Sequence, residues 1–180
     1  MTAETNPSAA GLAWAQRLVR FNTVSRESNL ALIEFVRAYL AGFGVDSQLL
    51  FSADGCKANL YARLGPSGAG GVLLSGHSDV VPVDGQAWSV PPFELTERDG
   101  KLYGRGSADM KGYLACVLAA VPALLAQPLR LPVHIAISYD EEVGCLGVRS
   151  LVEQLRGRAA ELHGGGGLEL QAATRFLLDP

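Results

Sequence analysis

Clustered positive charge is missing from this 180-residue sequence: 15 Lys and Arg are scattered among 18 Asp and Glu, for a formal net charge of -3. That argues against a nucleic-acid partner, because phosphate binding needs grouped Lys and Arg. No apolar run approaches the roughly 18 residues that a bilayer span requires, so no membrane partner is expected. The start, Met1 to Pro7, has no basic segment followed by an apolar one; no secretory signal is read there and a cytoplasmic location is expected. Cysteine is scarce and unpaired in pattern. Cys56, Cys116 and Cys145 are odd in number with no Cys-x-x-Cys spacing, which excludes a disulfide framework and a zinc-thiolate site and leaves reduced thiols. There is no Gly-x-Ser-x-Gly elbow, so a serine nucleophile is not expected. Gly104-Arg105-Gly106 lacks the Lys-Ser/Thr ending of a phosphate loop. What remains, 48% apolar and 18% charged residues, is the composition of a soluble globular protein with one core of ordinary size, or slightly more.

The apolar spacing of Leu12, Ala15, Leu18 and Val19 predicts an amphipathic helix over 9–21. A second helix is expected from Ser28 or Asn29, both good caps, to the glycines at 42–44. Strands are read over 45–51, 58–64 and 71–76, the last short and apolar enough to lie inside a sheet. Residues 93–98 and 101–103 flank Asp99-Gly100, a strong hairpin signal. Residues 109–127 are apolar on most faces and predict a buried helix, bent or broken at Pro122. A buried strand over 133–139 and a helix over about 147–156 follow. Strands alternating with helices imply an α/β fold, a mixed sheet flanked by helices on both faces. The end, with four consecutive glycines at 164–167, does not continue this rhythm.

Three segments carry acids or imidazole where a strand ends or a helix begins. In Ser75-Gly76-His77-Ser78-Asp79, His77 follows a buried strand and should project from the sheet edge where α/β folds build their sites. Asp79, two residues on, points the same way if the path stays extended, and a carboxylate beside a ligating imidazole fixes its tautomer. Taken alone, the pair is more often an ordinary hydrogen-bonded histidine. In Gly104-Arg105-Gly106-Ser107-Ala108-Asp109, the Asp opens the buried helix, and a cap is its bland account. A bridging ligand for two hard cations is the other. In Ser138-Tyr139-Asp140-Glu141-Glu142, three successive acids repel one another unless they are solvated or neutralised by a cation. His77, Asp109 and Glu142 lie 32 and 33 residues apart, a spacing with which successive elements can deliver ligands to one edge. Of the neighbours Glu141 and Glu142, one can ligate a metal while the other takes a proton from water. His134, inside a strand, reads as a satisfied structural histidine, and His163 as an exposed one.

Together these segments resemble the M20 family of metallopeptidases and amidohydrolases. Gly76 to Gln86, Trp88, Pro92-Phe93, Leu95 to Gly100, Leu102 to Gly106 and Ala108 to Gly112 carry the likeness, which covers about 9–156 and is most similar to the acetylornithine deacetylase branch. The resemblance implies a zinc-exopeptidase-like catalytic domain holding two divalent metal ions, zinc or cobalt. His77 and Glu142 would each bind one ion and Asp109 both; Glu141 would be the general base and Asp79 would orient His77. The implied substrate is a small-molecule acetylated amino acid, N2-acetylornithine, hydrolysed to ornithine and acetate in arginine biosynthesis. A succinyl-diaminopimelate desuccinylase, a dipeptidase or a non-catalytic remnant are the rivals. The family's further acidic ligand, its late histidine ligand and the smaller domain through which full-length relatives dimerise have no counterpart in these 180 residues. The expectation is an N-terminal part of the catalytic domain over 9–158, an atypical, disordered or frameshifted tail over 159–180, and at most trace activity.

Overall fold

The computed structural model describes residues 9–162 except residue 69, with side chains as far as Arg156. The expected frayed start, His163 and the tail beyond it lie outside the described residues. The element order is α1 (Ala9–Val19), α2 (Leu30–Ala41), β1 (Ser47–Phe51), β2 (Ala58–Leu64), β3 (Val72–His77), β4 (Thr96–Arg98), β5 (Lys101–Tyr103), α3 (Lys111–Leu125), β6 (Val133–Ser138) and α4 (Val148–Leu162). No helix among these residues is long and apolar enough to cross a membrane.

The main sheet has the order β1-β2-β6-β3. β1 with β2 and β2 with β6 are antiparallel, whereas β3 runs parallel to β6. The sheet is therefore mixed, as the alternation of elements predicts. Period-two alternation sorts its residues onto two faces. Ala58, Leu60, Ala62 and Leu64 of β2, with Ile135 and Ile137 of β6, join Leu18, Leu32, Ile33, Val36, Leu114 and Leu118 in the larger core, under α1, α2 and α3. Tyr61 and Ala136 point the other way and meet Leu151 of α4. β4 and β5 pair across Asp99-Gly100 as a separate hairpin.

Element ends differ from the expected ones in instructive ways. The strand expected over 93–98 contracts to Thr96–Arg98, because its preceding residues make a turn in which Glu94 N donates to Pro91 O. The last helix extends past the expected end at 156 to Leu162. Of the bend or break expected at Pro122, the break does not occur: α3 runs through it. Proline deprives the carbonyl four residues back of its helical donor; here Leu118 O accepts the Tyr39 hydroxyl at 3.0 Å instead. Asn29 stands at the cap of α2 yet makes no side-chain cap bond. Its amide donates to Ala58 O and accepts from Ala58 N, both at 2.9 Å, like one more rung of a ladder, and also donates to Ser78 Oγ.

Candidate metal centre

Parallel pairing of β3 and β6 brings the C-terminal ends of two distant strands to one edge. His77 lies opposite Ser138, and one residue further Ser78 N donates to Ser138 O at 2.8 Å. The imidazole of residue 77 thereby stands beside the acidic turn that leaves β6. α3 approaches the same edge because residue 76 is glycine: a Cβ there would come within 2.9 Å of Leu114 and 3.1 Å of Met110. With that gap closed, Met110 Sδ accepts His77 N at 3.3 Å, and Asp109 is presented to the imidazole.

Asp109 and Glu141 reach the imidazole of His77, and Glu142 gathers with His77 and Glu141; Asp109 is not in that group. His77 is 5% exposed, its Nε2 lying 3.1 Å from Asp109 Oδ1 and 3.6 Å from Glu141 Oε2. Ligand atoms of His77, Glu141 and Glu142 all fall within 4.8 Å of one another. Asp109 does not cap α3: Met110 occupies the cap position and no side chain bonds there. Its largely exposed carboxylate faces the imidazole. A cleft of about 580 Å³ opens alongside, reached by His77, Asp109 and Glu141 and walled by Leu73, Met110 and Tyr113.

Asp79 is buried beneath His77. Nδ1 of the imidazole donates to Asp79 O at 3.0 Å and lies 3.5 Å from its Oδ1, which leaves Nε2 facing the acids. The Asp79 carboxylate also accepts the Ser25 hydroxyl at 2.7 Å and two successive amides, Glu141 N at 3.1 Å and Glu142 N at 3.2 Å. One residue thus meets the histidine chiefly through its carbonyl and the acidic turn through its carboxylate. Burial opposes charge on both partners. It is outweighed at His77 by hydrogen bonding and attraction from Asp79 and the pull of Glu141, which raise the pKa to about 9. At Asp79 burial is outweighed by the bonds from His77, Ser25 and the Glu141 amide, which hold the pKa low. Glu142 is pushed up by burial and, despite His77, by the negative charges of Asp109, Glu141 and Asp79.

The third acid of the run is elsewhere. Asp140 pairs with Lys57 Nζ at 2.5 Å, so its counter-charge is a lysine, whereas Glu141 and Glu142 gather with His77. Ser25 and Lys57 escape the sequence reading because each is an isolated polar residue with no local pattern. Lys111 escapes it as well. It is fully buried at the start of α3, with Nζ donating to Phe21 O at 2.6 Å, and burial lowers its pKa to about 7. His134 is satisfied as expected, with Tyr61 Oη at 2.8 Å and Gly70 O at 3.3 Å.

A model of Peptidase family M20/M25/M40 matches residues 73–175, more than half of the chain. The chain belongs to this family. Acetylornithine deacetylase of Myxococcus xanthus is 44% identical over 147 residues, which are 79% of this chain and 38% of that protein. The enzyme of the same name from Pasteurella multocida (strain Pm70) is 42% identical over 71% of this chain and 33% of its own length. Human carnosine dipeptidase 1 superposes with a TM-score of 0.69 at 27% identity, over 84% of this chain and 36% of that one. An M20 family metallo-carboxypeptidase of Sulfolobus solfataricus, Sso-CP2, shares the fold with a TM-score of 0.71 at 24% identity, over 83% and 35%. The chain spans about a third of the length of these relatives.

Membership of the family implies divalent metal ions, and the residues present fit them. One imidazole nitrogen and several carboxylates converge, a donor set suited to zinc and similar ions. Glu142, its pKa raised first by burial and then by the neighbouring negative charges, is a carboxylate of the kind that a bound cation would stabilise in its charged form.

Proposed function

We propose that His77, Asp109 and Glu142 hold two divalent ions, zinc or cobalt, with Asp109 shared, and that Glu141 is the general base of an amide hydrolase. The approach of Asp109 and Glu141 to His77 Nε2, with Glu142 gathered beside His77 and Glu141, is the observation that supports this reading. Ions bound there would supply Lewis acidity, lowering the pKa of a water and polarising the substrate carbonyl. Glu141, reaching into the cleft, accepts the proton of the attacking water and returns it to the departing amine. Asp79 fixes the imidazole so that Nε2 alone is free.

The substrate we infer is N2-acetylornithine, giving ornithine and acetate in a cytoplasmic step of arginine biosynthesis. The acetylornithine deacetylases at 42–44% identity support the acetyl group over the rival acyl groups. The test is release of acetate from N2-acetylornithine by zinc- or cobalt-loaded protein, set beside N-succinyl-diaminopimelate and a dipeptide. Preference for the succinyl compound or the dipeptide overturns the acetyl assignment. Ion binding without turnover of any of the three favours a non-catalytic metal-binding module. Turnover unchanged in Glu141→Ala removes the proposed base.

A further inference from the structure

We propose that Lys57 is a positioning residue for the acidic turn, holding Asp140 out of the cleft so that Glu141 and Glu142 face His77. The proposal rests on the metal-centre reading above and names the residue that keeps the ligand turn in place.

The sequence alone makes residues 140–142 equivalent acids, and a small rotation of the turn would exchange which of them points at the cleft. Three bonds to the turn itself fix that rotation, Lys57 Nζ to the Asp140 carboxylate and the Asp79 carboxylate to the amides of Glu141 and Glu142. Asp140 lies in the left-handed region at φ 56°, a conformation that aspartate tolerates better than most residues but does not favour. Its carboxylate, mostly buried, pairs with Lys57 Nζ at 2.5 Å. The same ammonium donates to Ser25 O. Ser25 in turn donates its hydroxyl to Asp79 at 2.7 Å, and Asp79 accepts the amides of Glu141 and Glu142. The contacts form a closed circuit: Lys57 to Asp140, along the backbone to the two amides, to Asp79, to Ser25, and back to Lys57.

Removing the ammonium leaves a carboxylate without its partner in a mostly buried place, an arrangement that relaxes by turning toward water. In this turn such a rotation pulls the amides of Glu141 and Glu142 off Asp79 and shifts the carboxylates they carry. A purely Coulombic role makes the opposite prediction, since deleting a cation near a divalent-ion site tightens ion binding. The two roles therefore differ in sign.

The experiment uses the full chain in two states. Metal-free, hydrogen exchange of Lys57→Met is compared with that of the unsubstituted protein. Exchange at the amides of residues 141–145 is expected to accelerate at least roughly tenfold, while β3 and β6 amides keep their protection. With zinc alone, the affinity is expected to fall roughly 10- to 100-fold, as for other residues that orient metal ligands. Lys57→Arg, which keeps a cation near both oxygens, is expected to recover most of both losses. Lys57→Gln replaces Lys57→Met if the latter does not fold. Unchanged local exchange, or zinc binding that is equal or tighter, overturns the proposal. If the unsubstituted chain binds no zinc, the metal-centre reading fails instead, and the exchange comparison still decides what Lys57 does.

Discussion

Zinc affinity should depend steeply on pH above neutrality, because the ion must displace a proton that His77 holds tightly. In the metal-free protein Nδ1 faces Asp79 and Nε2 faces Asp109 and Glu141, and, against burial, the bonding and charge of Asp79 with the charge of Glu141 raise the pKa from 6.5 to about 9. At pH 7 about 1% of the imidazole is then neutral, and at pH 8.5 about a quarter, so affinity should rise roughly 25-fold between them. An unshifted histidine would give only about a 1.3-fold rise over that range. Competition with a chromophoric chelator at the two pH values measures the ratio. Calorimetry in buffers of different ionisation enthalpy should count close to one proton released per zinc at neutral pH. The same shift bears on stability. A raised histidine pKa contributes fully below the unfolded value near 6.5 and its contribution is lost as pH rises through about 9. On an order-of-magnitude basis about 3 kcal/mol is at stake. The metal-free protein should therefore lose denaturant resistance from near-neutral to alkaline pH, and zinc should restore it. A flat zinc affinity with no proton release would refute the reasoning, since it would mean that the imidazole is already neutral.

Glu141→Gln should retain zinc affinity within a few-fold while lowering hydrolysis roughly 10²- to 10⁴-fold, whereas Glu142→Gln should lose affinity first; equal losses of affinity would erase the division of roles. Asn29→Ala leaves Ala58 N and O without their buried partners and should cost about 2–3 kcal/mol in urea unfolding. Tyr39→Phe should cost about 1 kcal/mol by orphaning Leu118 O. That penalty should shrink in a Pro122→Ala background, where the helix supplies its own donor, and a double-mutant cycle reads the difference.

The fold class was legible because its signals are local. The alternation of β2 and the apolar run of β3 are written in consecutive residues, and so is the Asp99-Gly100 turn between β4 and β5. The candidate site was legible for a related reason: His77, Asp109 and the 140–142 run each sit at an element boundary that the pattern marks. The illegible parts are those set by tertiary partners. Nothing in the run of three acids distinguishes Asp140, whose partner Lys57 lies at the entrance to β2. Nothing near Pro122 announces that a tyrosine from α2 will satisfy Leu118 O, so a bend or a break was the expectation there. Asn29 was readable as a cap by type and position, but the backbone of Ala58 claims its amide. Nothing local marks Lys111 as buried; its Nζ is taken by Phe21 O, just past the end of α1, and Gly106 packs against its stem.

The side-by-side parallel course of β3 and β6 also governs when the site can exist. A parallel neighbour cannot be reached by a tight turn, and the chain passes through the β4-β5 hairpin and the whole of α3 before β6 takes its place beside β3. Imidazole and acidic turn consequently have no local nucleus in which to meet, and a half-folded chain offers zinc little more than isolated donors. Capture of the ion should therefore lag behind collapse during refolding, and zinc taken up in a stopped-flow trace would time the closure of that crossover.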